Sequence, residues 1–275
     1  MAVARNGEWD IYYEEFGDPA HPVLLLVNGL GSQSINYADD WCRMFAAEGF
    51  RVVRYDNRDV GLSSHRPDAH YTCDDMAGDG MAVLDALGVQ RAHVMGLSMG
   101  GMIVQMMAIE FADRLRSMTS SMSMTGDPNY GQAAPEAMAA LLAAPPTERA
   151  AYIESAQNWT IWASKKYANL AEMRDRAGRD FDRSFYPEGS ARQLAAIFAV
   201  GDRTDRLRSV KVPTLVIHGR DDTLITPSGG MRTAEVIDGA HLLLLADMGH
   251  DLPKQLYPVV FDTMAAHMGW ADAGA

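Results

Sequence analysis

The stretch AHVMGLSMGGMIVQMM, residues 92–107, places one serine between glycines in an otherwise apolar run. Residues 92–97 have the apolar character of a buried strand. After Ser98, the apolar residues recur at the spacing of one helix face: Met99, Met102, Ile103, Met106 and Met107. The stretch therefore predicts a strand that turns into a helix at Ser98, and Gly96-Leu97-Ser98-Met99-Gly100 fits the G-x-S-x-G elbow that presents a nucleophile on such a turn.

Length and composition exclude several classes of protein. A chain of 275 residues can bury a full hydrophobic core, as one large α/β domain or two small ones, and 48% apolar with 22% charged residues is typical of a globular protein. The net charge of −12 repels nucleic acid and anionic membranes, so neither is expected as a partner.

The expected cellular location rests on targeting segments, membrane spans and cysteines. The amino terminus has no signal-peptide core, and no apolar run reaches the ~18–20 residues of a membrane span. Cys42 and Cys73 suit a reducing compartment and cannot by themselves form a disulfide framework or a zinc site. A cytoplasmic protein is expected, and a homo-oligomer is left open.

Short apolar runs alternate with helical patterns along the chain, which predicts a mostly parallel sheet flanked by helices. The predicted strands are 10–17, 23–29, 51–56, 92–97, 115–124, 212–219 and 240–249, and the predicted helices before the elbow are 36–49 and 76–89. Residues 127–209 interrupt the alternation with helical stretches only. We expect them to form a helical lid inserted into a core made of residues 1–126 and 210–275.

A serine hydroxyl becomes a nucleophile only beside a general base that a third group orients. On a G-x-S-x-G architecture the acid and then the histidine follow after later strands. His250 follows the predicted strand 240–249 and is the expected base; the remaining histidines fit structural or solvated positions. The acid is left among Asp221, Asp222 and Asp127, which all follow strands.

The oxyanion of such a reaction needs two backbone donors. The N–H of Met99 begins the helix after Ser98, where the helix dipole favours negative charge. The second donor is expected in the loop Asn28-Gly29-Leu30-Gly31, at Leu30 N–H. The same loop fails as a dinucleotide fingerprint because Ser34 occupies the third glycine position, and the sequence contains no phosphate loop or metal-binding cluster. No cofactor and no metal are expected.

With these segments in place, the chain resembles the α/β-hydrolase superfamily over nearly its whole length. The matching segments are GLSMGG (96–101), HGRDDTLITP (218–227) and MGHDLP (248–253). The spacing in relatives favours Asp222 over Asp221 as the acid and implies a lid over the strand ends. RYDNRDVGLS (54–63) is similar to a segment of bacterial esterases of the aclacinomycin methylesterase type. We interpret this segment as a structural turn near the pocket. At Asn28 many relatives have histidine, and the change leaves a backbone donor intact.

These residues predict a serine-dependent carboxylic ester hydrolase with Ser98, Asp222 and His250 as its triad. A lid rich in Met, Trp and Tyr favours a small to medium apolar or aromatic ester. Residues considered for the pocket lining are Met102, Met122, Met124, Trp159 and Trp162. The same triad suits a lactonase, a thioesterase or a C–C bond hydrolase, and a hydrolase-fold receptor with little turnover is the alternative from another class.

Overall fold

An eight-stranded mixed sheet forms the centre of the computed structural model, which describes residues 2–274. The strands are β1 Ala2–Asn6, β2 Trp9–Phe16, β3 Val23–Val27, β4 Arg51–Tyr55, β5 Ala92–Leu97, β6 Leu115–Ser121, β7 Thr214–Gly219 and β8 His241–Leu245. Their order across the sheet is β1-β2-β4-β3-β5-β6-β7-β8. β1 and β2 run antiparallel to their neighbours, and the six remaining strands are parallel. The carboxyl ends of β3 to β8 therefore meet along one edge.

Ten α-helices are present in the described part of the chain. They are α1 Asp39–Ala47, α2 Cys73–Ala86, α3 Met99–Glu110, α4 Pro135–Leu142, α5 Arg149–Ser155, α6 Leu170–Arg183, α7 Pro187–Val200, α8 Thr204–Leu207, α9 Pro227–Val236 and α10 Tyr257–Asp272. The layered arrangement of a sheet between helices, predicted from the alternation of patterns, is confirmed.

The core is divided between the two faces of the sheet because side chains alternate along a strand. On β3, Leu24 and Leu26 pack with α1 and α10, whereas Val23, Leu25 and Val27 pack with α2 and α3. All five are buried, which is why this strand reads as a continuous apolar run. Burying one such side chain contributes roughly 1.5–3 kcal/mol.

The segment between β6 and β7 contains α4 to α8 and, in the described chain, no strand. Its helices are fixed to the loops at the carboxyl edge of the sheet by ion pairs with buried carboxylates. Arg183 Nη1 on α6 lies 2.8 Å from Asp56 Oδ2, and Arg192 Nε on α7 lies 2.7 Å from Asp59 Oδ2. Met1 and Ala275, the outer limits of the core ranges expected from sequence, lie outside the described residues.

The sheet differs from the sequence prediction at β1 and at the ends of β6 and β8, of which β8 ends at Leu245 rather than at residue 249. β1 was not predicted because Ala2–Asn6 is short and mostly exposed, although the turn at Gly7, with φ of 59°, gives a tight hairpin to β2. β6 ends at Ser121 rather than at residue 124, since Met122 has φ of 42° and leaves the extended conformation. No helix in residues 2–274 has the length and apolar composition needed to cross a membrane.

Candidate active site

Ser98 lies in a strained turn between β5 and α3. Its φ of 56° and ψ of −118° fall outside the regions open to residues with a side chain, at a cost of about 1–3 kcal/mol. The flanking glycines allow the close packing of this turn: a Cβ on Gly96 would overlap the carbonyl of Gly100, and a Cβ on Gly100 would overlap that of Val27. The strain is therefore held in place by tightly packed backbone on both sides of Ser98.

Asp222 and His250 contact each other at the same edge of the sheet. The Asp222 side chain is buried, and its Oδ2 lies 2.7 Å from His250 Nδ1. The other oxygen, Oδ1, accepts the N–H groups of Leu224 and Ile225, each at 2.9 Å. The aspartate is thus held rigidly by its own loop while it faces the imidazole.

The ionisation of Asp222 is set by opposing effects. Burial raises its pKa, but the charge of His250 and hydrogen bonds from His218 and His250 together outweigh burial and lower the pKa to about 2. His218 is fully buried at the end of β7, with Nε2 donating to Ile225 O at 2.8 Å and lying 3.3 Å from Asp222 Oδ2. His218 therefore supports the carboxylate, in agreement with the structural position expected for it.

The other two aspartates considered as the acid face elsewhere. Asp221 Oδ1 lies 3.9 Å from Lys165 Nζ, and its backbone N–H donates to Met248 O. Asp127 accepts from Asn129 and lies 3.4 Å from Arg232 Nε. Among the ion pairs and hydrogen bonds of residues 2–274, Asp222 is the only carboxylate joined to the His250 side chain.

The loop that carries His250 is also held by the helical segment. His250 N–H donates to Trp162 O at 2.6 Å. Next to it, Asp251 Oδ1 accepts the N–H groups of Ser164 at 2.9 Å and Gly249 at 3.2 Å. Burial raises the pKa of Asp251 above its ordinary value, and these two hydrogen bonds offset only part of that rise. The imidazole is thus held by Asp222, and the backbone that carries it is held by the 162–164 backbone.

The backbone N–H groups near Ser98 that have no hydrogen-bond partner within residues 2–274 include those of Leu30 and Met99. Met99 is the first residue of α3, where N–H groups have no partner within the helix. Leu30 follows Gly29, and a Cβ on Gly29 would lie 3.2 Å from Ser98 Cβ, so the 28–31 loop passes directly beside the serine.

The segment 54–63, singled out in the sequence, forms hydrogen bonds with residues at and just after that loop. Asn57 Nδ2 donates to Asn28 O at 3.0 Å, and Asp56 Oδ1 accepts Ser34 N–H at 2.6 Å. The Asn28 side chain is itself buried, and its Nδ2 has no partner among the described residues. The segment therefore fixes the backbone on both sides of the 28–31 loop.

No hydrogen bond within residues 2–274 joins Ser98 Oγ to His250. The two residues follow β5 and β8, which are separated by β6 and β7 and end at the same edge. Hydrogen bonds between catalytic groups are often long in unliganded enzymes and shorten when substrate binds.

The residues considered for the pocket lining differ in exposure. Met102 and Met122 are buried, and Met122 belongs to the apolar cluster beneath the sheet that includes α10. Met124, Trp159 and Trp162 are half-buried. The guanidinium of Arg176 lies 5.0 Å from the centre of the Trp159 ring. No group of three or more His, Cys, Asp or Glu in the described chain has the arrangement of a metal site.

Sequence reasoning missed three residues that hold the loops of this site: Asp251, Ser164 and Gln193. Asp251 adjoins His250 and could have been flagged by that position alone. Ser164 and Gln193 lie in the helical segment and carry no motif, so only the structure reveals their contacts.

Known proteins resemble the chain over most of its length. A family profile described as the alpha/beta hydrolase fold matches residues 22–254. The chain is 27% identical to a rhodomycin D methylesterase of Streptomyces peucetius, over 96% of this chain and 97% of that protein. It is also 27% identical to 3-oxoadipate enol-lactonase 2 of Acinetobacter baylyi, over 84% and 85% of the two chains.

A solved structure shares both fold and sequence with the chain. The enol-lactonase from Burkholderia xenovorans LB400 superposes with a TM-score of 0.79 at 27% identity, covering 98% of this chain and 100% of the other. The resemblance includes both the sheet and the helical segment between β6 and β7, since nearly all of each chain is aligned.

Proposed function

Because the chain belongs to the α/β hydrolase fold family, we propose that it is a serine hydrolase that cleaves small to medium apolar or aromatic carboxylic esters. Ser98 is the nucleophile, His250 the general base and Asp222 the group that orients His250. The observation that carries the proposal is the 2.7 Å contact between Asp222 and His250 at the sheet edge on which the strained Ser98 turn also lies.

In the first step Ser98 Oγ attacks the ester carbonyl carbon while His250 Nε2 takes the hydroxyl proton. The tetrahedral intermediate collapses when its C–O bond to the alcohol breaks, and His250 returns the proton to the departing alkoxide. Asp222 accepts from Nδ1, which leaves Nε2 to carry the proton in each direction, and its negative charge stabilises the imidazolium.

In the second step water hydrolyses the acyl-enzyme. His250 Nε2 takes a proton from the water as its oxygen attacks the acyl carbon. It then returns the proton to Ser98 Oγ as the bond to the serine breaks, so the acid is released and the enzyme regenerated. No cofactor enters either step.

The oxyanion of both intermediates is proposed to lie between the N–H groups of Leu30 and Met99. Their lack of other partners within residues 2–274 supports this role, because a donor already used in the fold could not serve the intermediate. Loss of one such donor typically lowers kcat by about 10²–10³.

We assign residues 127–209 as a lid over this site. The contacts of its 162–164 backbone with the His250 loop, and of α6 with Asp56, support the assignment. The side chains of Met102, Met122, Met124, Trp159 and Trp162 remain the proposed lining of the pocket. Two buried thiols, Cys42 and Cys73, favour action in the reducing cytoplasm.

A lactone is the second candidate substrate. Two of the similar proteins are named as enol-lactonases, and one of them is a solved structure that covers 98% of this chain. A lactone is a cyclic ester, so the same two steps open its ring without releasing a separate alcohol.

A panel of p-nitrophenyl esters, lactones and thioesters, with wild-type protein and Ser98→Ala, tests the proposal. Hydrolysis by the wild type that is lost in Ser98→Ala is the expected result. Turnover that survives the substitution would exclude Ser98 as nucleophile, and tight ligand binding without turnover of any panel member would favour a receptor.

A further inference from the structure

The 29–32 turn beside Ser98 has a defined backbone geometry. Ser32 N–H donates to Gly29 O at 3.2 Å, Gly31 has φ of 63°, and Leu30 is not among the residues with positive φ. This combination of signs is that of a type II turn, which takes glycine at its third position. A side chain at Gly31 would also press against Ser190 Oγ of α7.

The turn fixes the direction of the Leu30 N–H. The peptide bond between Gly29 and Leu30 is trans, so its C=O and N–H point in opposite directions. Since the Gly29 carbonyl points into the turn toward Ser32, the Leu30 N–H points out of it. The direction of this donor is therefore set by the Gly29–Leu30 peptide, and its place beside Ser98 depends on where the turn as a whole is held.

The central peptide of the turn, between Leu30 and Gly31, directly follows the peptide that carries the Leu30 N–H. Here its N–H is held by a side chain from the helical segment: Gln193 Oε1 on α7 accepts Gly31 N–H at 2.9 Å. The other end of the amide is also fixed, because Gln193 Nε2 donates to Arg58 O at 2.8 Å.

Gln193 is fully buried, and both of its amide groups are used. The carbonyl it binds belongs to Arg58, whose guanidinium forms a two-pronged pair with buried Asp79 at 2.6 and 2.7 Å. The Gln193 side chain thus links the turn to the core, and movement of the turn away from α7 would leave its buried oxygen without a donor.

We propose that Gln193 is a positioning residue for the oxyanion-binding turn, holding the 29–32 backbone so that the Leu30 N–H faces the reacting carbonyl oxygen. The inference rests on the proposed function, since it assigns Gln193 a part in that reaction.

Gln193→Met tests the proposal, since it keeps the length of the side chain and removes both hydrogen bonds. We expect kcat for a p-nitrophenyl ester to fall about tenfold or more, with KM changed by less than about threefold. The fall in kcat should be smaller than that caused by removing one oxyanion donor, because the donor is displaced and not lost. Affinity for an aryl trifluoromethyl ketone, which forms an oxyanion on the serine, should fall in parallel with kcat. Gln193→Glu keeps an oxygen for Gly31 N–H and, in its protonated form, an O–H that donates to Arg58 O, so it should recover most of the lost rate.

Arg192→Gln is the matched control. Arg192 is the neighbour of Gln193 on α7 and anchors the same helix to Asp59 without touching the 29–32 turn. It should lower the Tm while leaving kcat, per active site titrated with a fluorophosphonate, within about twofold of the wild type. Equal losses of kcat in Arg192→Gln and Gln193→Met would reduce Gln193 to a helix anchor and overturn the proposal.

Two further results separate this inference from the proposed function. If Gln193→Met keeps the wild-type kcat and ketone affinity, only the role of Gln193 fails. If the wild-type protein neither reacts with the fluorophosphonate nor hydrolyses esters, the proposed function fails and takes the inference with it. If Gln193→Met does not fold, Gln193→Leu, which also removes the oxygen, takes its place: the same loss of kcat at a retained KM supports the role, and a wild-type kcat contradicts it.

Discussion

His250 Nδ1 lies 2.7 Å from Asp222 Oδ2, and the second oxygen of the same carboxylate is occupied by two backbone N–H groups. The carboxylate therefore cannot turn away from the imidazole without breaking hydrogen bonds inside its own loop. Since Nδ1 is engaged, Nε2 is the nitrogen left for proton transfer. This asymmetry determines what substitutions at the acid loop should do.

Asp222→Asn should lower kcat by about 10³–10⁴, because an amide facing Nδ1 no longer selects the tautomer that leaves Nε2 unprotonated. Asp221→Asn is the control: its carboxylate faces Lys165, so its rate should stay within about threefold of the wild type. Initial rates on p-nitrophenyl butyrate measure both. The opposite ranking would move the acid to Asp221.

The low pKa of Asp222 predicts a contribution to acid stability. Its folded pKa of about 2 lies below the ordinary value of 3.8, so ionisation of Asp222 stabilises the fold above pH ~4, and this stabilisation is lost as the pH falls toward 2. At about 1.4 kcal/mol per pKa unit the contribution is about 2 kcal/mol. The free energy of unfolding in urea, compared between wild type and Asp222→Asn, should differ less at pH 3 than at pH 6. A difference that stays constant over this range would contradict the shift.

Ser98→Gly should stabilise the protein relative to Ser98→Ala although both are inactive. Alanine keeps the strain of φ 56° and glycine removes it, whereas the lost hydroxyl is common to the two variants. We expect a gain of about 1 kcal/mol, or a Tm roughly 2–4 °C higher for the glycine variant. Differential scanning calorimetry measures the pair; an equal or lower Tm for Ser98→Gly would show that the turn is not strained.

Asp251→Ala should lower kcat about tenfold, because the Ser164 and Gly249 N–H groups lose their shared acceptor and the His250 loop is released. Asp251→Asn keeps Oδ1 as an acceptor and should restore most of the rate. A role in stability alone would lower the Tm of Asp251→Ala and leave its kcat per titrated site unchanged. The pH dependence of kcat/KM, recorded for all three proteins, shows whether the environment of His250 changes with the loop.

The parts of the fold that sequence predicted are those in which a local pattern has one physical explanation. β3 is a run of apolar residues because both of its faces are buried, and the Ser98 turn carries glycines because its backbone packs against neighbouring backbone. The loops that bear Asp222 and His250 follow strands, as the resemblance implied. The patterns that predicted these features are local in the sequence, although a contact behind one of them, that of Gly100 with Val27, is distant.

The features that sequence did not predict depend on distant partners. Gln193 and Gly31 are 162 positions apart in the sequence, and Ser164 and Asp251 are 87 positions apart. No periodicity or local spacing therefore predicts either contact. β1 escaped prediction because its apolar content is small and its pairing with β2 depends on the hairpin at Gly7. Buried polar side chains of this kind become visible only when the fold has brought their partners together.

The central claim is that Ser98 is a nucleophile activated by His250, and one measurement tests it most directly. Intact-protein mass spectrometry after incubation with a fluorophosphonate, followed by peptide mapping, should show a single adduct on Ser98 in the wild type. Labelling should be abolished in Ser98→Ala and slowed at least about 10³-fold in His250→Ala, since the hydroxyl then has no base. An adduct on another residue, or labelling of His250→Ala at the wild-type rate, would contradict the account.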